Sequence, residues 1–320
     1  MTKFFGTDGN DRADANAGEM VGFSDRRLNS NDVALLQDST GDSFLGGAGH
    51  DTVIAGDASD TIEGGGGADV LVGEGGDDYI QGQAGNDSLT GGEGDDILKG
   101  AGGTDTLFGH SGDDVIDGGI GADHLNGGEG KDEIYGGDGS DTIICGTSND
   151  LIDDDKAFGA AGSDQLLGSW GNDYLDGGDD NDTLDGKFGN DTILGGAGAD
   201  TITGSTSKDR LNGGNGKDVF AYKAFQDSIP DPDGRDVIVD FNAANTDIID
   251  LVSIDANLAV TGNQTFEFVG SAGFSDLGQV RVSNNGVNTF ISANVKGDLG
   301  AEMRIQLSGV IVLNAADFDL

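Results

Sequence analysis

Cysteine, proline and basic residues are scarce in this chain of 320 residues. The single cysteine, Cys145, excludes an intrachain disulfide, so the usual covalent stabiliser of small secreted folds is absent. Lys and Arg number 16 against 59 Asp and Glu, which gives a formal net charge of −43. Such a charge argues against nucleic acid or an anionic membrane surface as a partner.

Long apolar runs and catalytic motifs are also missing. No stretch is long enough to cross a membrane, and residues 1–6 lack the apolar segment of a secretory signal peptide. There is no H-E-x-x-H zinc motif and no G-x-S-x-G nucleophile motif. We therefore expect no transmembrane segment and no catalytic activity from the chain on its own.

What the chain has in abundance is glycine, 60 residues in all, arranged in a nine-residue repeat. One unit, Gly82 to Thr90, is followed at once by the next, Gly91 to Lys99. Twelve units run from Gly46 to Asp153, and seven more run from Gly159 to Ala221 after a five-residue insertion at 154–158. The eighth place is always Val, Ile, Leu or Phe, and the sixth is Asp in all nineteen units: Asp51, Asp60, Asp69, Asp78, Asp87, Asp96, Asp105, Asp114, Asp123, Asp132, Asp141, Asp150, Asp164, Asp173, Asp182, Asp191, Asp200, Asp209 and Asp218.

The repeat predicts short strands joined by tight loops. Places seven to nine form a very short strand whose middle side chain points inward, and the glycines supply the positive φ angles of the loops. If two units make one turn, loops two units apart stack, and their Asp carboxylates and carbonyl oxygens face each other. This density of hard oxygen ligands suits calcium, whereas zinc or copper would require sulfur or imidazole. We predict the nineteen sixth-place aspartates as calcium ligands.

Calcium is expected to be essential for folding. One buried apolar side chain per nine residues is a thin core to set against the conformational entropy of the backbone, and the stacked carboxylates repel one another. The stacked loops leave room for about fifteen ions, which would bring the formal charge of −43 to about −13. Folding and metal binding should then be one event.

The consensus G-G-x-G-x-D-x-U-x resembles the RTX, or hemolysin-type, calcium-binding repeat. Residues 216–251, with Asp227, Arg235 to Phe241 and Asp247 to Leu251, are similar to the C-terminal domain of serralysin-type metalloproteases and to the R-modules of mannuronan C5-epimerases. The tail Asp317 to Leu320 resembles an uncleaved C-terminal signal for type I secretion. The resemblance implies calcium-triggered folding outside the cell, in modules whose chemistry resides in a separate domain.

The predicted fold class is all-β, a calcium-bound parallel β-roll with a β-rich C-terminal cap. Residues 1–36 are predicted as an N-terminal cap, 37–221 as the roll with the insertion at 154–158, and 222–320 as the C-terminal cap with the secretion signal. The insertion is either a plain bulge or a kink. Asp231 to Gly234 either hold one extra calcium or simply turn the chain.

These features predict an extracellular, secreted or surface-associated calcium-binding protein without catalytic activity. Its expected partners are calcium, the type I secretion apparatus during export, and surface polysaccharide or another matrix protein. The alternative is an accessory module of a polysaccharide-modifying enzyme or of a protease system.

Overall fold

The computed structural model describes residues 12–14, 26–27, 33–38, 41, 43–146, 153–244, 246–258, 262–296 and 300–320, with only the backbone described before residue 41. The chain divides into two bodies. The first comprises Met1–Asn149 and Asp155–Asp164, and the second comprises Asp150–Asp154 and Gln165–Leu320. Both are built from β-strands, which confirms the predicted all-β parallel roll.

The first body contains sixteen described strands. They are β1 (Arg12–Asp14), β2 (Arg26–Arg27), β3 (Val33–Asp38), β4 (Ser43–Ala48), β5 (Thr52–Gly56), β6 (Thr61–Gly66), β7 (Val70–Gly75), β8 (Tyr79–Ala84), β9 (Ser88–Glu93), β10 (Ile97–Gly102), β11 (Thr106–Ser111), β12 (Val115–Ile120), β13 (His124–Glu129), β14 (Glu133–Asp138), β15 (Thr142–Gly146) and β16 (Lys156–Ala161). The odd-numbered strands form one parallel sheet and the even-numbered strands form the other. Successive repeats therefore alternate between two sheets.

The second body begins with the same alternation. Its strands are β17 (Gln165–Trp170), β18 (Tyr174–Asp179), β19 (Thr183–Phe188), β20 (Thr192–Ala197), β21 (Thr201–Thr203), β22 (Arg210–Asn215), β23 (Val219–Ala221), β24 (Val237–Ile238), β25 (Ile248–Asp250), β26 (Glu267–Phe268), β27 (Gln279–Asn284), β28 (Asn288–Asn294), β29 (Met303–Ser308) and β30 (Phe318–Asp319). One sheet has the order β17-β19-β21-β23-β25-β30, and the other has the order β18-β20-β22-β24-β29-β28-β27-β26.

The core is a stack of eighth-place side chains. Leu98 pairs in register with Ile80 on one side and Ile116 on the other, and all three are fully buried. Seventh- and ninth-place side chains alternate with them and are half-buried or exposed, as on β10, except at the ninth places Asp185 and Thr203, which are buried. The inward position predicted for the eighth place is confirmed.

The strands are longer than the three residues predicted. β11, for example, runs for six residues from the seventh place of one repeat to the third place of the next, because ladder pairing continues through the glycines. Positive φ angles fall at the second and fourth places, such as Gly92 (φ 134°) and Gly94 (φ 127°). Gln83 tolerates the same left-handed conformation at a second place, with φ 75°.

The extra five residues lie earlier than the predicted insertion at 154–158. β16 pairs in register with β14, Lys156 with Glu133 and Ala157 with Ile134. Ala157 is fully buried, so it holds an eighth place, and Asp155 holds the sixth. The insertion therefore precedes Asp155, and repeat pairing resumes there rather than at Gly159.

Parallel pairing extends past both ends of the predicted roll. β1 pairs with β3 and β2 with β4, while β24 and β25 add to the two sheets beyond residue 221. An antiparallel meander, β27-β28-β29, then follows. The boundaries at 36 and 222 stay predictions. Asp231 accepts from the backbone N–H groups of Asp233 and Gly234, so this segment forms a turn.

Helical structure in the described ranges is limited to the three-residue 3-10 turn Ala315–Asp317. None of it has the length and hydropathy that a membrane-spanning helix needs.

Leu71 and Val70 test the core assignment, since they are neighbours on opposite faces of β7. Leu71 is fully buried and Val70 is 44% exposed. We expect Leu71→Ala to lower the free energy of unfolding by about 2–5 kcal/mol and Val70→Ala by less than about 1 kcal/mol. Urea unfolding of the calcium-saturated chain measures both, and equal effects would contradict the assignment.

Candidate metal sites

The sixth-place aspartates form a hydrogen-bonded ladder along each edge of the roll. The backbone N–H of each Asp donates to Oδ1 of the Asp two repeats later, as from Asp87 to Asp105 at 2.8 Å. In the first body the two ladders are Asp51-Asp69-Asp87-Asp105-Asp123-Asp141-Asp164 and Asp60-Asp78-Asp96-Asp114-Asp132-Asp155. In the second body they are Asp173-Asp191-Asp209-Asp236 and Asp182-Asp200-Asp218-Asp247.

The ladder hydrogen bonds are accepted by Oδ1, and the second carboxylate oxygen, Oδ2, takes no part in them. It is buried and has no hydrogen-bond partner in thirteen of the described aspartates: Asp69, Asp78, Asp87, Asp96, Asp105, Asp114, Asp123, Asp132, Asp141, Asp191, Asp200, Asp209 and Asp218. A buried carboxylate oxygen without a partner is costly, and native structures contain few of them. Its repetition at the same place in successive repeats indicates a place where a cation binds.

The first place is glycine in all repeats but those that begin at Ala55 and Cys145, and we call the space that it leaves beside this oxygen the cradle. A methyl group placed on Gly118 would lie 2.6 Å from Oδ2 of Asp123 and 2.7 Å from the carbonyl oxygen of Gly136. On Gly195 it would lie 2.5 Å from Oδ2 of Asp200 and 2.6 Å from the carbonyl oxygen of Gly213. One carboxylate and one carbonyl oxygen thus converge beside the first-place glycine, where a side chain would collide with both.

The donor set of a cradle combines side chain and backbone. In the ranges that the structure describes, no group of three or more His, Cys, Asp or Glu side chains is arranged to hold a metal. The cradle instead offers one carboxylate oxygen together with a loop carbonyl, which are hard ligands that fit calcium. Bound calcium would supply the positive charge that the buried Oδ2 atoms lack.

A family model for the RTX calcium-binding nonapeptide repeat matches residues 3–19, 38–71, 45–80, 72–107, 108–143, 117–152, 151–184 and 185–220. The chain belongs to this RTX repeat family. Its repeats therefore bind calcium, in keeping with the cradles.

Two solved modules of a mannuronan C5-epimerase from Azotobacter vinelandii are similar to this RTX chain. The AlgE6R2 subunit is 22% identical, covering 61% of this chain and 90% of its own, with a TM-score of 0.29. The AlgE6R3 subunit is 24% identical, covering 62% of this chain and 80% of its own, with a TM-score of 0.23. A search of curated proteins finds no match.

Eighteen of the nineteen predicted RTX ligand residues lie in the described ranges, and all eighteen are buried. The nineteenth, Asp150, lies outside these ranges. In the ladder, Asp155 stands 23 residues after Asp132 and accepts its N–H at 2.8 Å. The prediction assigned that place to Asp150.

Two further ladder members were missed by the sequence analysis. Asp236 accepts from the N–H of Asp209 at 2.9 Å, and Asp247 accepts from the N–H of Asp218 at 3.2 Å. They follow their partners by 27 and 29 residues, instead of the 18 residues of the regular ladder steps. The sequence signal for both is the three-residue pattern Asp-x-Ile, which corresponds to the sixth to eighth places of a repeat. It occurs at Asp236 to Ile238 and again at Asp247 to Ile249.

A second, exposed ladder is formed by fifth-place residues and runs in the opposite direction. The N–H of Asp95 donates to Oδ1 of Asp77 at 3.1 Å, and that of Asp113 donates to Asp95 at 2.9 Å. Lys131 continues it by donating to Asp113 at 2.9 Å. Each of these exposed carboxylates accepts a hydrogen bond from the backbone N–H of a later fifth-place residue. They add negative charge beside the cradle.

Without calcium, the RTX carboxylates favour a proton. Burial, followed by the charges of Asp155, Asp114 and Asp113, raises the pKa of Asp132 to about 8, although the N–H of Asp114 opposes it. Burial is also the main cause that raises the pKa of Asp78 and Asp191 to about 7. In the metal-free fold, protons and calcium therefore compete for the same oxygens.

The raised pKa values predict an acid-stabilised metal-free fold. The folded chain binds more protons than the unfolded chain, whose Asp pKa is about 3.9, so stability is present at low pH and is lost as pH rises to about 8. We expect the β signal of the calcium-free chain in far-UV circular dichroism to grow from pH 8 to pH 5. An unchanged spectrum over this range would contradict the burial of the carboxylates.

Gly100 and Gly102 test the cradle, since both are glycines of β10 without positive φ. A Cβ at Gly100 would meet Oδ2 of Asp105 and the carbonyl oxygen of Gly118, whereas a Cβ at Gly102 has its nearest neighbour at 3.7 Å. We expect Gly100→Ala to remove about one calcium ion and to raise the calcium midpoint of folding. Gly102→Ala changes the unfolded chain in the same way, and it should keep the number of bound ions and the calcium midpoint of folding at wild-type values. Calorimetric titration measures both, and equal behaviour of the two variants would rule out the cradle.

Proposed function

We propose that this chain is a secreted RTX protein that folds when it meets calcium outside the cell and acts there without catalysis, at the surface or in the extracellular matrix. The observation that carries the proposal is the row of buried Oδ2 atoms without hydrogen-bond partners. A chain with this row and a formal charge of −43 is expected to be an expanded polyanion in the absence of calcium. Calcium then acts as the switch between export and function.

The ligands in this proposal are the sixth-place aspartates together with loop carbonyls. Within the two bodies the described ladders contain seventeen steps. This number of steps is close to the number of ions expected from the repeat count, which is about fifteen. Extracellular calcium modules bind with Kd values of about 10⁻⁴–10⁻³ M, too weak for cytosolic calcium. This range supports folding after export.

The predicted export signal at residues 317–320 is consistent with this order of events. In the folded chain β30 pairs with β25, Phe318 opposite Ile249, and Phe318 is buried. The N–H of Leu251 donates to the carbonyl oxygen of Asp319 at 2.8 Å. A tail held in this way is accessible to a type I secretion apparatus only before folding.

A calcium titration tests the proposal directly. Far-UV circular dichroism with calorimetry, from chelator to about 10 mM calcium, should show a cooperative gain of β signal with about fifteen ions bound per chain. Magnesium should not replace calcium, because it demands a smaller octahedral site. A fold complete in chelator would refute calcium-triggered folding. Turnover of alginate or a protein substrate by the loaded chain would refute the non-catalytic role.

Asp114 and Asp113 provide matched variants in the same titration. Asp114 contributes a buried Oδ2 to a cradle, whereas Asp113 is an exposed fifth-place residue. Asp114→Asn should raise the calcium midpoint and lower the number of ions, and Asp113→Asn should change both much less. The reverse order would place the ligands on the outer ladder.

A further inference from the structure

Three arginines of the second body form a cluster without carboxylate partners. In the described part of the chain, the ion pairs join Lys156 to Glu133, and Lys187 and Lys223 to Asp185. No arginine takes part in these pairs, although acidic residues outnumber basic ones 59 to 16. Arg235, Arg281 and Arg304 are the members of what we call the arginine cluster.

Two of the three arginines flank one buried serine. Arg281 on β27 and Arg304 on β29 both pair in register with Ser292 on the intervening strand β28. Ser292 is fully buried, and its Oγ accepts from Nε of Arg304 at 3.2 Å. The three residues therefore form one row across the antiparallel sheet.

The third arginine adjoins the same row. Arg235 directly precedes Asp236 and β24, whose Val237 pairs with Gln306 of β29. Its guanidinium carbon lies 5.3 Å from the ring centroid of Phe290, and that of Arg304 lies 5.9 Å from the same centroid. Two guanidinium groups thus share one aromatic ring.

The aromatic contacts satisfy the faces of these guanidinium groups and leave N–H edges unpaired. Arg281 stacks over Phe274 at 4.8 Å. Nε of Arg281 and Nε of Arg235 are nevertheless buried without hydrogen-bond partners, and Arg235 is only 8% exposed. A buried unpaired N–H on a cation is costly, so these edges call for an acceptor.

The three positive charges lie close enough together to repel one another. Burial, and then the charges of Arg235 and Arg281, lower the pKa of Arg304. The carboxylates nearest in sequence have other partners, since Glu302 accepts from the N–H groups of Val295 and Lys296, and Asp236 accepts from Asp209. No described residue accepts from the Nε–H groups of Arg235 and Arg281, which leaves them open to a ligand.

We propose that Arg235, Arg281 and Arg304 bind a tetrahedral oxyanion, a sulfate or phosphate group. Guanidinium groups match such oxyanions through paired N–H donors, and charge-assisted bonds of this type are about twice as strong as neutral ones. A dianion also balances three positive charges better than a carboxylate does. Such a group is either free in solution or an ester on a polymer.

The test titrates sodium sulfate at millimolar concentration into the calcium-loaded full chain, with chloride keeping the ionic strength constant. Arginine Nε–H resonances in nitrogen-15 NMR report the contact, and we expect a saturable shift of the buried Nε–H groups. Arg281→Gln should weaken binding about tenfold or more. Arg210→Gln removes the same charge at an exposed position outside the cluster and should leave binding unchanged. Arg281→Lys, which keeps the charge but loses the paired donors, should weaken sulfate binding and serves if Arg281→Gln does not fold.

Two more arms distinguish the source and the charge of the anion. A sulfated oligosaccharide that binds more tightly than inorganic sulfate assigns the group to a polymer, and equal affinity assigns it to the free ion. Acetate binding as tightly as sulfate would overturn the preference for a dianion. No saturable shift, or the same shift in Arg281→Gln, would overturn the proposal and leave the cluster as packing alone.

Discussion

The structure depends on buried carboxylate oxygens that recur along the repeats and, in thirteen described aspartates, have no hydrogen-bond donor. Oδ1 of each sixth-place Asp accepts the N–H two repeats earlier, which fixes the side chain and directs Oδ2 into the cradle. In those thirteen aspartates no described group donates to Oδ2, so its charge must be met by a proton or by a metal ion. Because the repeat copies this situation along both edges, a local need for a cation becomes a property of the whole fold.

Glycine serves the repeat in two physically different ways. At the second and fourth places it supplies positive φ, which non-glycine residues such as Gln83 also adopt at a cost. At most first places φ is ordinary, and a Cβ would collide with Oδ2 of the sixth-place Asp and with a loop carbonyl oxygen. The glycine content therefore reflects the metal as much as the loops. The thin core of one apolar side chain per repeat is consistent with a fold that relies on that metal.

Periodicity predicted most of the architecture. The regular spacing of the sixth-place Asp and the apolar eighth place predicted the parallel roll, the inward side chains and the stacking of Asp along the edges, because all three features follow from that spacing. The position of the insertion was wrong because Asn149-Asp150-Leu151-Ile152 fits the repeat locally better than Asp155-Lys156-Ala157, whose inward residue is small. Only backbone pairing between β16 and β14 decides between the two frames.

The nine-residue pattern did not predict the features that depend on loops without this period. Asp236 and Asp247 extend the ladders across loops of unequal length. The arginine cluster joins residues from separate strands, which only the antiparallel pairing of β27, β28 and β29 brings into one row.

The central claim is that calcium occupies the cradles, and crystallography of the calcium-loaded chain with anomalous scattering tests it most directly. The account predicts anomalous peaks at about 2.3–2.6 Å from Oδ2 of Asp123 and from the carbonyl oxygen of Gly136. It predicts such a peak in successive cradles along both edges. Cradles that hold water, or protonated carboxylates without an anomalous peak at saturating calcium, would contradict it.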